Sequence, residues 1–230
     1  MLSKLFSLFF PRFCAVCGKS LISSEKLLCL GCVSDMPRSG SWLQEENLII
    51  QLFKEPQEDK DQIEHASSFL YYTKESPYHQ LLHRLKYKGE SHIGYELGLW
   101  FGAELKRAPL YQTVDVVIPV PLHRKKERKR GYNQSALFAQ GIVRQTGWGL
   151  EREVIKRIRP TSTQTELNRE ERQKNVSGAF RLFHPERIAG KHILLVDDVH
   201  TTGATLRACA SELLKAPGCI CSIATVAYIQ

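Results

Sequence analysis

Short apolar runs alternate with amphipathic stretches along most of this chain of 230 residues. Runs rich in β-branched residues have the length of buried strands, and stretches with apolar residues three or four positions apart have the spacing of helices. Because strands and helices alternate, the pattern predicts an α/β domain built on a mainly parallel sheet. The predicted strands are residues 67–72, 114–121, 193–196 and 220–229, and the predicted helices are residues 77–86, 92–106, 135–144 and 206–214.

Two stretches lie outside this pattern. Residues 33–64 are polar and acidic and are expected to connect a small N-terminal unit, residues 1–60, to the main domain, residues 61–230. Residues 1–11 are apolar but lack a small-residue cleavage site, so we expect a packing segment and not a signal peptide. No apolar run approaches the roughly 18 residues of a transmembrane helix.

The third predicted strand leads into an acidic pair, Asp197 and Asp198, and then into a hydroxyl-rich turn before a helix. Loops at the carboxyl ends of parallel strands bind ligands, and N–H groups at a helix start favour phosphate. The carboxylates can accept hydrogen bonds from a sugar diol or hold Mg²⁺. The turn therefore predicts a sugar-phosphate site, with an ordinary capped helix after a buried strand as the alternative.

Four cysteines form two pairs, Cys14-x2-Cys17 and Cys29-x2-Cys32, separated by eleven residues. This spacing is typical of a tetrahedral zinc site, in which four thiolates leave no open position and the metal is structural. Gly18 accompanies the first pair, and Gly31 the second, where tight turns need φ > 0. A disulfide pair, an iron–sulfur cluster and free thiols are the alternatives. Cys209, Cys219 and Cys221 lack ligand spacing and are expected to be buried structural thiols.

Basic residues are concentrated in one central segment. The net charge is +8, and residues 121–191 hold 17 Lys and Arg against 7 Asp and Glu. Such a patch points to phosphates or nucleic acid, with a solvated basic face as the alternative. If the second and third strands are neighbours, the basic loop at residues 124–130 faces the acidic loop and suits a diphosphate. The predicted diphosphate or DNA contacts are Lys86, Lys88, Arg124, Arg128, Arg130 and Gln134.

Residues 157–180 form a long polar segment dense in hydroxyl and amide groups. A segment of this kind within a compact domain is usually a lid or a binding loop, and plain disorder is the alternative. The residues expected to form the lid are Arg159, Thr161, Gln164, Arg172 and Asn175.

The run from Ile193 to Thr205 resembles the signature of the type I phosphoribosyltransferases, which bind 5-phosphoribosyl-1-diphosphate (PRPP). The resemblance implies that the acidic pair contacts the ribose hydroxyls and that the turn holds the 5-phosphate. It also implies that Mg²⁺ accompanies PRPP. The residues carried over are Asp197 and Asp198 for ribose, and Thr201, Thr202, Gly203, Ala204 and Thr205 for phosphate.

The whole chain resembles the ComF family of late competence proteins. The elements that carry the resemblance are the cysteine pairs, the run Arg130–Gln134, Thr161 with Gln164, Arg172 with Asn175, and the acidic-pair turn, in this order. It implies a type I phosphoribosyltransferase-like domain with a small zinc-ribbon-like knob formed by Cys14, Cys17, Cys29 and Cys32. It further implies a cytoplasmic role in DNA uptake with the ComFA helicase-like ATPase and other competence proteins, at the inner face of the membrane through these partners.

Two functions of different classes follow from these features. A binding module would hold PRPP or a terminal 5-phosphate while the basic segment follows single-stranded DNA, with Tyr87 and Tyr132 as aromatic neighbours. An enzyme would place the diphosphate leaving group on the basic residues and transfer the phosphoribosyl group to a base, a nucleotide or a DNA end. Ordinary base salvage is the third reading and has no special support from the basic loops or the cysteine motif.

Overall fold

The computed structural model describes residues 12–54, 63–159, 176 and 178–229. The expected packing segment at residues 1–11 and most of the expected lid lie outside these residues. The described helices are α1 Leu30–Ser34, α2 Leu48–Gln51, α3 His79–Tyr87, α4 His92–Leu105, α5 Arg124–Arg130, α6 Gln134–Thr146 and α7 Ala204–Leu213. The described strands are β1 Ile63–Tyr72, β2 Val116–Pro119, β3 Gly149–Leu150, β4 Ile155–Arg157, β5 Phe180–Leu182, β6 His192–His200 and β7 Ile220–Ile229.

A five-stranded sheet in the order β1-β7-β6-β2-β3 forms the centre of the fold, and every pairing in it is parallel. This confirms the predicted α/β class. The second and third predicted strands, β2 and β6, are direct neighbours. The segments that follow them therefore meet at one edge of the sheet, as the sequence indicated.

The acidic pair lies within strand β6, and the expectation that the strand ends at Val196 is wrong. Pairing with β7 continues past that point, with Asp197 opposite Thr225 and His200 opposite Tyr228. On the other side of β6 the pairing with β2 ends at Val196, and the backbone N–H of Asp198 donates to the Asp197 side chain instead. Both carboxylates are consequently held on a rigid strand.

The basic segment after β2 is a helix, α5, and the expectation of a loop is wrong. The side chain of His123 accepts a hydrogen bond from the backbone N–H of Lys125 and caps the helix start. Gly131 ends it with φ +82°, a conformation that glycine adopts without strain. Cations in the last turn interact favourably with the helix dipole, which helps so dense a run of positive charge to remain helical.

Two hydrophobic layers enclose the sheet. Helices α3, α4 and α6 pack on one face together with the cysteine-rich segment, and α2, α7 and the antiparallel β4–β5 pair pack on the other.

Helices α4 and α6 cross at an unusually short distance. A Cβ at Gly98 would lie 2.2 Å from the carbonyl oxygen of Phe138. A Cβ at Gly141 would lie 2.3 Å from the carbonyl oxygen of Tyr95. These glycines therefore permit the contact that seats α6 beside β6.

Residues 36–54, expected only to connect two units, cover the outer edge of β1. The backbone N–H of Ser39 donates to the Phe69 carbonyl at 3.0 Å, and that of Tyr71 donates to the Pro37 carbonyl at 3.0 Å. Trp42 is buried and packs against Phe69. This cover protects an edge strand that would otherwise expose unpaired backbone groups. The predicted domain boundary after residue 60 falls outside the described residues and stays a prediction.

None of the helices in the described ranges is long and apolar enough to span a membrane.

Candidate functional site

The carboxylate of Asp197 lies at the centre of the site and is held from two sides. Its Oδ1 accepts a hydrogen bond from the hydroxyl of Ser135 at 2.6 Å and another from the backbone N–H of Asp198 at 2.8 Å. Burial and the neighbouring Asp198 carboxylate raise the pKa of Asp197 to about 7, although both hydrogen bonds act in the opposite direction. Asp197 is therefore a group whose protonation changes near neutral pH.

The second carboxylate of the pair, Asp198, faces a lysine and a tyrosine. Its Oδ2 lies 3.2 Å from the Nζ of Lys86, at the end of α3. Burial and the charge of Asp198 raise the pKa of Tyr72, whose hydroxyl is buried. That hydroxyl has no hydrogen-bond partner within the described part of the chain. A buried donor without a partner is costly in a folded protein and marks a position where a ligand can bind.

The turn after β6 combines an open helix start with a close backbone approach. Helix α7 begins at Ala204, and its N-cap residue is Gly203, which has no side chain to cap the helix. Gly203 precedes it with φ +71°, and a Cβ there would lie 2.9 Å from the Phe53 ring. Uncapped N–H groups at the start of a helix bind anions, so this turn offers donors to a phosphate.

Arg207 ties this turn to residues 48–54. Its guanidinium donates hydrogen bonds to the carbonyl oxygens of Leu52 and Thr202, and it lies over the Phe53 ring at 5.4 Å. His200, the last residue of β6, is buried, and its Nδ1 forms a hydrogen bond of 3.0 Å with the hydroxyl of Thr225. Burial, followed by the charge of Arg207, lowers the pKa of His200 to about 3. His200 is consequently neutral at physiological pH and forms part of the support of the turn.

Helices α3 and α5 meet beside the acidic pair and bring basic and aromatic groups together. The guanidinium of Arg130 lies 5.7 Å from the ring centroid of Tyr87, which is 66% exposed. Arg130 also donates to the Gln134 side chain at 2.7 Å, and Gln134 is buried, not at the surface. Three of the predicted basic contacts are exposed side chains, namely Lys88, Arg124 and Arg128.

The expected lid is only partly within the described residues. Arg159 is exposed at the end of the segment that follows β4. The other lid residues, Thr161, Gln164, Arg172 and Asn175, lie outside the described residues, so their role stays a prediction.

The four paired cysteines converge on one point, as predicted. The sulfur atoms of Cys14, Cys17, Cys29 and Cys32 all lie within 4.8 Å of one another. Sulfur atoms around a tetrahedral zinc ion are about 3.8 Å apart. The Sγ atoms of Cys17 and Cys29 are 3.6 Å apart, close to this value. Burial raises the pKa of Cys14, but backbone N–H donors of Cys17, Cys29 and Val16 outweigh it and lower the value to about 6. Burial and the other three cysteines raise the pKa of Cys32. It is the convergence of the four sulfur atoms that allows the cluster to hold a metal ion.

The two glycines that accompany the cysteine pairs differ in conformation. Gly18 has φ +73°, as expected for a tight turn. Gly31 lies inside helix α1, and the expectation of a positive φ there is wrong.

Sequence reasoning missed four residues that shape the site. Ser135 orients Asp197, Tyr72 faces Asp198, and Phe53 and Arg207 support the turn. Ser135, Tyr72 and Phe53 come from elements distant in sequence from the acidic pair, so no local pattern marks them, whereas Arg207 lies in α7, just after the turn. Ser135 was only the first residue of a predicted helix, and Phe53 belonged to the presumed connection.

Comparison with known proteins first defines the class. Residues 133–229 match the family described as phosphoribosyl transferase domain. They contain the acidic pair, the turn and Ser135.

The similar proteins then show to which family the chain belongs. Competence protein F of Haemophilus influenzae is 30% identical over 219 residues, which cover 90% of this chain and 93% of the relative. The chain belongs to the ComF family of competence proteins.

Further similar proteins cover less of the chain. The DNA utilization protein YhgH of Salmonella typhimurium is 35% identical over 142 residues, or 60% of this chain. That alignment spans 62% of the length of YhgH. Competence protein ComFC of Bacillus subtilis is 26% identical over 145 residues, 63% of this chain and 56% of the relative. A hypoxanthine phosphoribosyltransferase from Staphylococcus aureus is 18% identical with a TM-score of 0.36, over 59% of this chain and 62% of its own.

Proposed function

We propose that this chain acts in DNA uptake during natural transformation and binds a phosphoribosyl group, either PRPP with Mg²⁺ or a terminal 5-phosphate. The observation that carries the proposal is the position of the acidic pair near the end of β6, one short turn before the start of helix α7, at one edge of the sheet. Carboxylates can accept hydrogen bonds from the two ribose hydroxyls, and the N–H groups of the turn can donate to the phosphate.

Each half of the proposed site has its own support. Ser135 and the backbone N–H of Asp198 hold one carboxylate in place for the diol. Gly203 lets the backbone turn with φ +71° against the Phe53 ring, while Thr201, Thr202 and Thr205 would add hydroxyl donors to the phosphate. Mg²⁺ would bind the diphosphate oxygens of PRPP and neutralise their charge.

Calorimetric titration of PRPP with Mg²⁺ into the zinc-loaded chain tests this proposal. We expect saturable binding to the wild type and its loss in Asp197→Asn/Asp198→Asn, because amides cannot replace two carboxylate acceptors. Asp35→Asn, which removes an exposed carboxylate at the end of α1, is the matched control and should bind normally. Equal binding by the double variant would overturn the proposal.

A second proposed activity is the binding of single-stranded DNA along α5. Six of the seven residues of this helix are Lys or Arg, and the exposed ring of Tyr87 lies beside its end. Single-strand binders combine such charge with aromatic rings on which bases stack.

Anisotropy of a labelled oligothymidylate, measured across a salt series, tests the DNA proposal. Arg128→Ala/Arg130→Ala should weaken binding and reduce the slope of log K against log salt by about 1.4, since each phosphate contact on a single strand contributes about 0.7. Lys106→Ala/Arg107→Ala removes the same charge from an exposed site at the end of α4 and should leave the slope unchanged. An unchanged slope in the α5 variant would exclude this helix as the DNA site.

Transfer of the phosphoribosyl group is the enzymatic alternative. The position of α5 next to the acidic pair supports it, because basic groups there can stabilise a leaving diphosphate. Release of diphosphate from PRPP in the presence of bases, nucleotides or DNA ends would establish this activity. If only free bases accepted the phosphoribosyl group, the enzyme would act in base salvage.

We further propose that zinc fills the cysteine cluster and stabilises the N-terminal unit, residues 1–60, against the main domain, residues 61–230. The chain would act in the cytoplasm and reach the inner face of the membrane through competence partners, of which a ComFA-like ATPase is the expected one. Four closely spaced thiols, which need a reducing compartment to stay metal-bound, support the cytoplasmic site. Co-purification from competent cells, compared with a Cys14→Ser variant, tests whether the cysteine cluster binds that ATPase.

A further inference from the structure

Lys86 forms an ion pair inside the acidic site. Its ammonium lies 3.2 Å from Oδ2 of Asp198, and the two side chains are only 20% and 11% exposed. An exposed pair of this kind contributes little, because water screens it and both side chains lose freedom. Burial makes this pair a fixed part of the charge distribution at the carboxylates.

The position of Lys86 is set by packing. Leu81, Leu82 and Leu85 anchor helix α3 in the core. The hydroxyl of Tyr132 donates a hydrogen bond of 2.5 Å to the carbonyl oxygen of Leu85, next to the lysine. The helix end is therefore clamped, and Lys86 projects toward the acidic pair from a rigid base.

The acidic pair lacks the further ligands that a divalent cation usually recruits. Within the described residues, the only grouping of three or more carboxylate, imidazole or thiol ligands is the cysteine cluster. Mg²⁺ prefers an octahedral shell of oxygens and is usually held by carboxylates together with substrate phosphates. The ammonium of Lys86 lies within ion-pair distance of Asp198, and the guanidinium of Arg157 interacts electrostatically with Asp197.

We propose that Lys86 is a resident cation that takes the place of a divalent metal at the acidic pair, so that the ribose 5-phosphate moiety binds there without Mg²⁺. The proposal rests on the phosphoribosyl site proposed above. Mg²⁺ then serves only the diphosphate of PRPP. An ammonium has three donors, so one can stay on Asp198 while another reaches a ribose hydroxyl. The buried hydroxyl of Tyr72, which faces Asp198, supplies a further polar contact for the diol.

Titration of ribose 5-phosphate distinguishes the role of Lys86 from that of Mg²⁺, because this ligand carries no diphosphate to which Mg²⁺ could bind. The full zinc-loaded chain is titrated in magnesium-depleted buffer and again with Mg²⁺. For the wild type, we expect affinities that agree within about twofold. Lys86→Met should lose about tenfold or more in affinity without Mg²⁺, since the charge-assisted contact to the ligand is removed, and added Mg²⁺ should restore part of the loss.

Two further variants keep the outcome decisive. Lys86→Arg retains the charge and should remain independent of Mg²⁺, which a merely structural role of the lysine would not require. Lys106→Met removes a lysine charge from an exposed position at the end of α4 and should behave as the wild type. Thermal unfolding of each variant shows that the comparison is made between folded proteins.

The results distinguish this inference from the proposed function. If the wild type binds ribose 5-phosphate only with Mg²⁺, or if Lys86→Met binds it normally in magnesium-depleted buffer, Lys86 is not the resident cation. If the wild type binds neither ribose 5-phosphate nor PRPP under any of these conditions, the phosphoribosyl site itself is refuted.

Discussion

The hydroxyl of Ser135 donates a hydrogen bond of 2.6 Å to Oδ1 of Asp197 and so joins the start of α6 to the central strand. Asn133 caps this helix by accepting from the backbone N–H of Ser135, which fixes the position of the hydroxyl. The close crossing of α4 and α6 at Gly98 and Gly141 seats the helix itself. The orientation of one carboxylate in the site thus depends on glycines in the core.

Replacement of Ser135 by alanine removes this hydrogen bond and leaves one acceptor site of a buried carboxylate unfilled. We expect the affinity for PRPP to fall about tenfold, because a hydrogen bond to a charged group contributes about 1.5–3 kcal/mol. Calorimetry with PRPP and Mg²⁺ measures the change. Ser91→Ala, at a helix start where the side chain makes no capping bond, is the control. An unchanged affinity would show that Asp197 needs no orientation by Ser135.

Two buried groups near the turn should affect stability with opposite signs as pH changes. Burial and Asp198 raise the pKa of Asp197 from 3.8 to about 7, so the folded chain binds a proton that the unfolded chain releases. Stability from this group therefore falls as pH rises between about 4 and 7. Burial lowers the pKa of His200 from 6.5 to about 3, so the unfolded chain binds a proton that the folded chain does not. The free energy of unfolding from this group therefore falls as pH falls between about 6.5 and 3.

Single variants should expose each trend in urea unfolding across this pH range. Asp197→Asn should leave a stability that rises more steeply with pH, because the contribution of His200 then acts unopposed. His200→Gln should leave a free energy of unfolding that rises less with pH than that of the wild type. His192, whose pKa is also lowered by burial, keeps a contribution of the same sign as His200. If both variants show the pH profile of the wild type, neither group has the shifted pKa described here. Lys86 and Asp198 face the same site, so each variant is compared at constant ionic strength.

Gly203→Ala should impair both folding and phosphate binding. A left-handed φ costs a residue with a Cβ about 1–2 kcal/mol, and here the Cβ would also press on the Phe53 ring. We expect the unfolding midpoint to fall by about 3–6 °C and PRPP affinity to fall with it. Gly190→Ala isolates the cost of φ, since Gly190 has φ +69° and nothing within 4 Å of a Cβ.

The double variant Gly203→Ala/Phe53→Ala separates the two causes. Removal of the ring should make the double variant less destabilised than the sum of the two single changes, while the strain from φ persists. Strict additivity of the two changes would show that the ring does not press on the turn.

Loss of one cysteine ligand should release the metal. Cys14→Ser should abolish stoichiometric zinc, measured by atomic emission, and lower the unfolding midpoint by about 5–10 °C, because metal binding supplies folding free energy to a segment with a small core. Cys219→Ser, a thiol outside the cluster, should keep the zinc. Visible absorption typical of an iron–sulfur cluster in the wild type would contradict the assignment of zinc.

The local pattern of the sequence was sufficient for features whose cause is local. Four strands and four helices follow from periodicity, and the convergence of the cysteines follows from their spacing, because a knuckle of two cysteines is a short-range structure. The alternation of elements also implied a parallel sheet. Since parallel strands meet at their carboxyl ends, the acidic pair and the basic segment were expected at one edge, and the pairing of β2 with β6 confirmed it.

The tertiary structure alone decided what surrounds the acidic pair. Strand β6 continues to His200 because β7 pairs with it. The helical form of the basic segment has a local cause instead, since His123 and Gly131 cap its two ends. The contacts of Ser135, Lys86 and Phe53 join positions far apart in the chain. Such contacts depend on how whole elements pack, so no local signal in the sequence predicts them. The sequence identified the charged residues of the site. Only the folded chain showed that Ser135 orients Asp197, that Lys86 forms an ion pair with Asp198 and that Phe53 packs against the turn.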